Sequence, residues 1–172
     1  EMNERESARY YKLAADKGHV KSMYNYAIML SEGDGIETNK EEAARYFKLA
    51  SDKGYLKATF KYAKALLNGE GVDVNKKEAA RLLKVIADNG NAETKFKYAV
   101  MLSEGNQIEE NKIEAAHYYK LAADQGHTKS MVNYALMLFN GDGIERNKIE
   151  ATRYIKQAAD EGDPKAIHNY PI

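Results

Sequence analysis

Cysteine is absent from the 172 residues and proline occurs only twice. Without cysteine there is no disulfide, no thiolate nucleophile and no Cys-ligated metal. The same absence fits a reducing compartment, and the cytoplasm is the expected setting. No run of apolar residues is long enough to span a bilayer, and no apolar signal segment opens the chain. No Asn-x-Ser/Thr acceptor occurs among the many asparagines, which leans away from the secretory pathway. Neither sign of charge is in excess: Lys+Arg 26 against Asp+Glu 26 gives a formal net charge of zero. Nucleic-acid binding needs a basic surface to displace counterions from phosphates, so neither nucleic acid nor membrane is an expected partner.

What is present is periodic. Gly18, Gly54, Gly90, Gly126 and Gly162 recur every 36 residues. Asp16, Asp52, Asp88, Asp124 and Asp160 keep the same step, as do Tyr26, Tyr62, Tyr98, Tyr134 and Tyr170. Leu30, Leu66, Leu102 and Leu138 follow, with Asn39, Asn75, Asn111 and Asn147, and no insertion breaks the phase. A fixed period of this length marks a stack of supersecondary units.

Each unit reads as two helices. From Val20 to Glu32, Ser22, Tyr26 and Leu30 follow at spacings of four, with Met23, Ala27 and Met29 beside them, giving one apolar face at helical period. Gly33-Asp34-Gly35 stops that helix, because two glycines so close favour positive φ, and Ile36 tucks the turn back onto the core. Asn39 caps the second helix, and Glu42 is placed to return a bond to the Asn39 N–H as a capping box. The Asn-Lys-x-Glu pattern recurs at Asn75, Asn111 and Asn147, with a close variant at Asn3. Small Ala43, Ala44 and Ala50 allow close helix approach, Tyr46, Phe47 and Leu49 add bulk, and Gly54 ends the helix. A carboxylate at a helix C-terminus opposes the macrodipole, so the Asp16 series is expected to face the next helix N-terminus and accept its N–H bonds.

The string from Lys21 to Gly54, with Ser22, Tyr26-Ala27, Leu30, Gly33-x-Gly35-Ile36, Asn39, Ala43, Tyr46-Phe47, Ala50 and Gly54, resembles the Sel-1-like repeat, a relative of the tetratricopeptide repeat. The resemblance covers essentially the whole chain. It implies an all-α, right-handed α/α superhelix, a solenoid of antiparallel helix pairs in 36-residue repeats. Family members usually carry Leu-Gly at Tyr26-Ala27 and often Trp near Tyr46. Gln107 replaces the second glycine of one loop, so Asn106 or Gln107 is expected to manage that turn. The expected division is one solenoid: a half repeat at 1–18, full repeats at 19–54, 55–90, 91–126 and 127–162, and a half repeat at 163–172. Asp163-Pro164 suits N-cap and N1, and Pro171 would end the last helix early. Neither end looks like a polar capping repeat, so the chain is expected to be part of a longer array or multidomain protein. Head-to-tail stacking of copies through open repeat ends is one consequence.

The resemblance also implies that the first helix of each pair lines a concave groove and that the protein is an interaction scaffold or adaptor. With Tyr26 turned to the core, positions 21, 24, 28 and 31 point away from it. Position 24 holds Tyr24, Phe60, Phe96 and Val132, and is read either as groove or as inter-repeat packing, the latter preferred. Position 28 holds Ile28, Lys64, Val100 and Leu136; its change of type from unit to unit is what a partner-specific surface would produce. Position 25 (Asn25, Lys61, Lys97, Asn133) is polar throughout and flanks the groove.

No active site emerges. His19 and His127 share one repeat phase with Tyr55, Asn91 and Asp163, which suits a helix start, and no His lies one turn from another. The Gly33-Asp34-Gly35 loops lack the Gly-Lys-Ser/Thr ending of a phosphate cradle and the alternating oxygen ligands of a calcium loop. No catalytic residue, cofactor or metal ligand is therefore expected. Penicillin binding, linked to some secreted bacterial relatives, goes with a Cys pair per repeat that this chain lacks. The alternatives that remain are a regulatory repeat region of a larger enzyme, such as a protein kinase, and a module for small molecules or peptidoglycan fragments.

Overall fold

The computed structural model describes residues 3–169. Among them are ten helices: α1 Glu4–Asp16, α2 Val20–Glu32, α3 Lys40–Asp52, α4 Leu56–Asn68, α5 Lys76–Asn89, α6 Ala92–Glu104, α7 Lys112–Ala123, α8 Thr128–Asn140, α9 Lys148–Asp160 and α10 Pro164–Asn169. The even-numbered helices are the first members of the repeats, the odd-numbered ones the second. No strand occurs among the described residues. Tyr170 and Pro171 lie outside them. The chain forms two compact units, Glu1–Ile86 and Ala87–Ile172. In the first unit α1 packs on α2, α2 on α3 and α3 on α4. In the second, α6 packs on α7, α7 on α8, α8 on α9 and α9 on α10.

The cores are built around the constant Ala27 and Leu30 phases, with small residues and aromatic rings packed beside them. Ala27, Ala50, Ala58 and Ala63 have no exposed surface, and so the helices they sit on come close together. Tyr26 meets Tyr46 edge to face at 5.0 Å, and Tyr98–Tyr118 and Tyr134–Tyr154 repeat that geometry at 4.9 and 5.1 Å. Burying each large apolar side chain supplies roughly 1.5–3 kcal/mol.

The loop glycines serve two purposes. Gly33 takes a left-handed conformation (φ 77°) and its N–H donates to the Met29 carbonyl, closing α2. Gly35 is needed for proximity as well: a Cβ there would lie 2.5 Å from Glu4 Cβ and 2.9 Å from the Arg5 nitrogen at the start of α1. Gly143 stands equally close to the Lys112 backbone at the start of α7. The second loop glycine thus lets each of these turns sit against the preceding second helix. The loop carrying Gln107 turns without any left-handed residue other than Gly105, so neither Asn106 nor Gln107 adopts positive φ. Ile108 is buried there (2% exposed), whereas Ile36 is only partly buried as it packs on the core of the first unit.

Two expectations need correction. The Asn39 side chain does accept from the Glu42 N–H (2.9 Å), but the Asn39 N–H donates to the Leu30 carbonyl instead of to Glu42. Asn75, Asn111 and Asn147 do the same with Leu66, Leu102 and Leu138. The loop folds back far enough to bring that carbonyl within reach, and Glu42 turns to Arg45, as Glu78 does to Arg81 and Glu150 to Arg153. The capping box is therefore half formed. The Asp16 series likewise does not face a helix N-terminus: Asp16 accepts from the Tyr46 hydroxyl and from Lys12.

Candidate partner-binding face

The phase that holds histidine twice stands at the start of each first helix, although His19 and Tyr55 make no side-chain capping bond. His19, Tyr55, Asn91 and His127 are the N-cap residues of α2, α4, α6 and α8. Asn91 accepts from the Thr94 N–H, His127 Nδ1 from the Ser130 N–H, and Asp163 from the N–H groups of Lys165 and Ala166. The other His127 ring nitrogen lies 3.1 Å from Glu93, and its ring stands 4.7 Å from Phe96. His117 stands against Tyr118 on α7, and His168 lies on α10. Ser22 Oγ lies 2.7 Å from His19 Nδ1 and Ser130 Oγ 2.8 Å from His127 Nδ1, but both serines are buried, so these pairs secure the helix starts. No group of three His, Asp or Glu side chains able to hold a metal occurs among the described residues.

The candidate face then divides by position. At position 24, Tyr24 is half-buried between Phe47 (5.9 Å) and Tyr55 (5.3 Å), and Phe96 between Tyr119 (6.0 Å) and His127. Val132 is buried, at 4% exposure, yet Phe60 is 45% exposed. Tyr24, Phe96 and Val132 accordingly pack within the repeats while Phe60 faces water. At position 28, Leu136 is 48% exposed and Lys64 is exposed, whereas Ile28 and Val100 are half-buried and Ile28 touches the core. At position 25, Asn25, Lys61 and Asn133 are half-buried and Lys97 is exposed, where it pairs with Glu93 at 3.0 Å. Phe139, at 46% exposure, lies under the cations of Lys148 (5.2 Å) and Arg146 (5.8 Å). Ile113 and Ile149 are more exposed still, but each sits alone in the first turn of a second helix.

Three recesses touch the candidate residues. In the first unit, an open one of about 600 Å3 brings Tyr24, Asn25, Ile28 and Lys61 together with Glu4, Ser7, Tyr11, Glu32 and Asp34. A tighter one of about 110 Å3 lies under Lys40, Lys61 and Lys64 on a floor of Ala43, Ala44 and Phe47. In the second unit, about 190 Å3 is enclosed by Phe96, Val132, Asn133 and Pro164 with Lys129 and Lys165 at the rim. Sequence reasoning missed Tyr11 and the carboxylates, because Tyr11 and Glu4 reach this face from α1, Asp34 from a loop, and Glu32 from the last position of α2, outside positions 21, 24, 25, 28 and 31.

Tyr98 and Tyr118 are held neutral. Burial pushes the Tyr98 hydroxyl up to about 12. Burial, then the hydrogen bond to Asp88, raises Tyr118 as well. The Tyr46 hydroxyl and then the Lys12 ammonium hold Asp16 below its ordinary value. At Asp124 burial pushes upward, but the bonds from Lys120 and Tyr154 prevail and lower it.

Comparisons with known proteins place this geometry. No curated protein matches the chain. Among solved structures, a protective antigen of uropathogenic Escherichia coli strains displaying an SLR fold is similar at 25% identity and a TM-score of 0.75. The match covers 98% of this chain but only 36% of the antigen, so the chain spans about a third of that protein's length. A Sel1 repeat protein from Oxalobacter formigenes is similar in fold at 24% identity and a TM-score of 0.73, over 98% of this chain and 69% of the other. Cysteine rich protein B of Helicobacter pylori shares the fold at 15% identity and a TM-score of 0.50, over 76% and 96%. The Sel1 repeat family model matches residues 3–19, 20–55, 56–91, 92–127 and 128–163. With every residue from 3 to 163 inside one of these matches and all-helical repeats to go with them, the chain belongs to the Sel1 repeat family.

Proposed function

We propose that this chain is a protein–protein interaction scaffold that receives a peptide or helix of its partner on the outward face of its first helices. Sel1 repeat proteins are generally protein-interaction scaffolds. The observation that carries the reading for this chain is the pair Phe60 and Leu136, large apolar side chains about half exposed on first helices whose Ala27 and Leu30 phases are constant and buried. Exposing such side chains costs solvation free energy that a partner surface recovers. The polar residues at position 25 would border the contact and fix its register. No helix among the described residues is long and apolar enough to cross a membrane.

The test is affinity capture from an extract of the native cells with the wild-type chain and with a Phe60→Lys/Leu136→Lys variant. A partner retained by the first and lost by the second, with both proteins melting alike, supports the reading. Equal capture by both overturns it.

A further inference from the structure

In the first unit, α1, α2 and the turn after α2 frame the open recess of about 600 Å3 whose apolar part is Tyr11, Tyr24 and Ile28. Three carboxylates stand at its edge, Glu4, Glu32 and Asp34, against one ammonium, Lys61. The contrast with the rest of the unit is chemical. Asp16, Glu42, Asp52 and Glu78 each pair with a lysine or arginine three or four residues away. None of the three at the recess makes an ion pair or a side-chain hydrogen bond among the described residues. The chain as a whole is neutral, so this local excess is not a by-product of an acidic protein.

Unpaired like charges around an apolar recess repel one another and attract a cation in the partner. We infer that this recess takes a partner segment with an aliphatic or aromatic anchor flanked by lysine or arginine. The anchor enters between Tyr11 and Ile28, and the flanking cations meet Glu32 and Asp34. The inference rests on the interaction reading above and specifies the chemistry of the segment bound by the first unit.

Two pools of short synthetic peptides test it on the full chain: one with a Leu, Ile, Phe or Tyr anchor flanked by Lys and Arg, the other with the same anchors flanked by Asp and Glu. Binding is followed by fluorescence anisotropy. The basic pool should bind, more weakly as salt is raised. Ile28→Lys should abolish that binding, and Glu32→Lys/Asp34→Lys should weaken it by about tenfold. Glu32→Lys places a cation at the C-terminal end of α2, where the helix dipole favours it, so the variant should stay folded; a thermal melt checks this. Preference for the acidic pool, still lost with Ile28→Lys, overturns the inference and leaves the interaction reading standing. Binding of neither pool, while a partner is still captured through Phe60 and Leu136, does the same. Capture that ignores Phe60 and Leu136 defeats the interaction reading itself.

Discussion

The Tyr46 hydroxyl donates a 2.6 Å hydrogen bond to Asp16 Oδ1, thirty residues earlier in the chain. It joins the middle of α3 to the end of α1, two successive second helices that no loop connects directly. Tyr154 repeats the bond to Asp124 at 2.8 Å, and Tyr118 bonds to Asp88. Asp52 has no such tyrosine, because Leu82 stands at that phase; it keeps only the Lys48 ammonium of its own helix. Asp16, Asp88 and Asp124 thus tie one repeat to the next, and at Asp16 and Asp124 a lysine four residues earlier offsets the charge that the helix end disfavours.

Tyr154→Phe removes the hydroxyl and keeps the ring against Tyr134. The loss should be about 0.5–1 kcal/mol, since Asp124 stays half in water and keeps Lys120. Urea denaturation of the two proteins measures it, and no change would show that the tie contributes nothing.

The pH dependence has two limbs. Asp16 and Asp124 are held below their ordinary 3.8, so the stability they supply is full above that value and drains away as pH falls through their lower folded values. The tyrosines behave in the opposite sense. Burial raises Tyr98 to about 12 from 10.0, so its contribution is full below pH 10 and is lost as pH rises toward 12. Thermal melts across the pH range should show both declines, and tyrosinate absorbance should show a late-titrating fraction among the 13 tyrosines.

Lys95 occupies the phase of Met23, Thr59 and Met131, is 7% exposed and donates to the Gly90 carbonyl at 2.6 Å. A buried ammonium is costly unless an opposite charge meets it, and a single carbonyl is a poor substitute. Lys95→Met should raise stability by about 1 kcal/mol in urea denaturation. A fall of similar size would mean that the bond to Gly90 is worth more than the burial costs.

Gly126 and Gly143 both have positive φ, 85° and 74°, but differ in their surroundings. A Cβ on Gly126 would meet nothing within 4 Å, whereas one on Gly143 would lie 2.5 Å from the Lys112 carbonyl carbon. Gly126→Ala should cost about 1–2 kcal/mol for the left-handed conformation alone. Gly143→Ala should cost about 1–3 kcal/mol more, because backbone must move. Equal losses in denaturation would remove the close approach as a reason for that glycine.

Much of this was legible in the sequence. The period, the helix pairs and the Asn39 caps follow from local spacing, and local spacing is what a sequence displays. The Asp16–Tyr46 tie spans a whole helix pair, so no local pattern announces it. Its signal was still present, in tyrosines at 46, 118 and 154 that keep step with the aspartates and a leucine at 82 that does not. The Glu42 side chain was misplaced because the loop returns the Leu30 carbonyl to Asn39, which depends on how the turn closes. At the candidate face, periodicity picked out phases turned away from Tyr26 but not which of their residues are exposed. Phe60 and Phe96 occupy the same phase, and only the neighbours, Tyr119 and His127 beside Phe96, decide which is covered.

The most direct test of the interaction reading is the dissociation constant of a captured partner, measured on the wild-type chain and on Phe60→Lys/Leu136→Lys at matched melting temperature. Both side chains are about half exposed, so the two proteins should melt within about 2–4 °C of each other. Affinity should nonetheless fall at least about tenfold if either residue is an anchor. An unchanged dissociation constant would contradict the account and leave the outward face of the first helices without a role in binding.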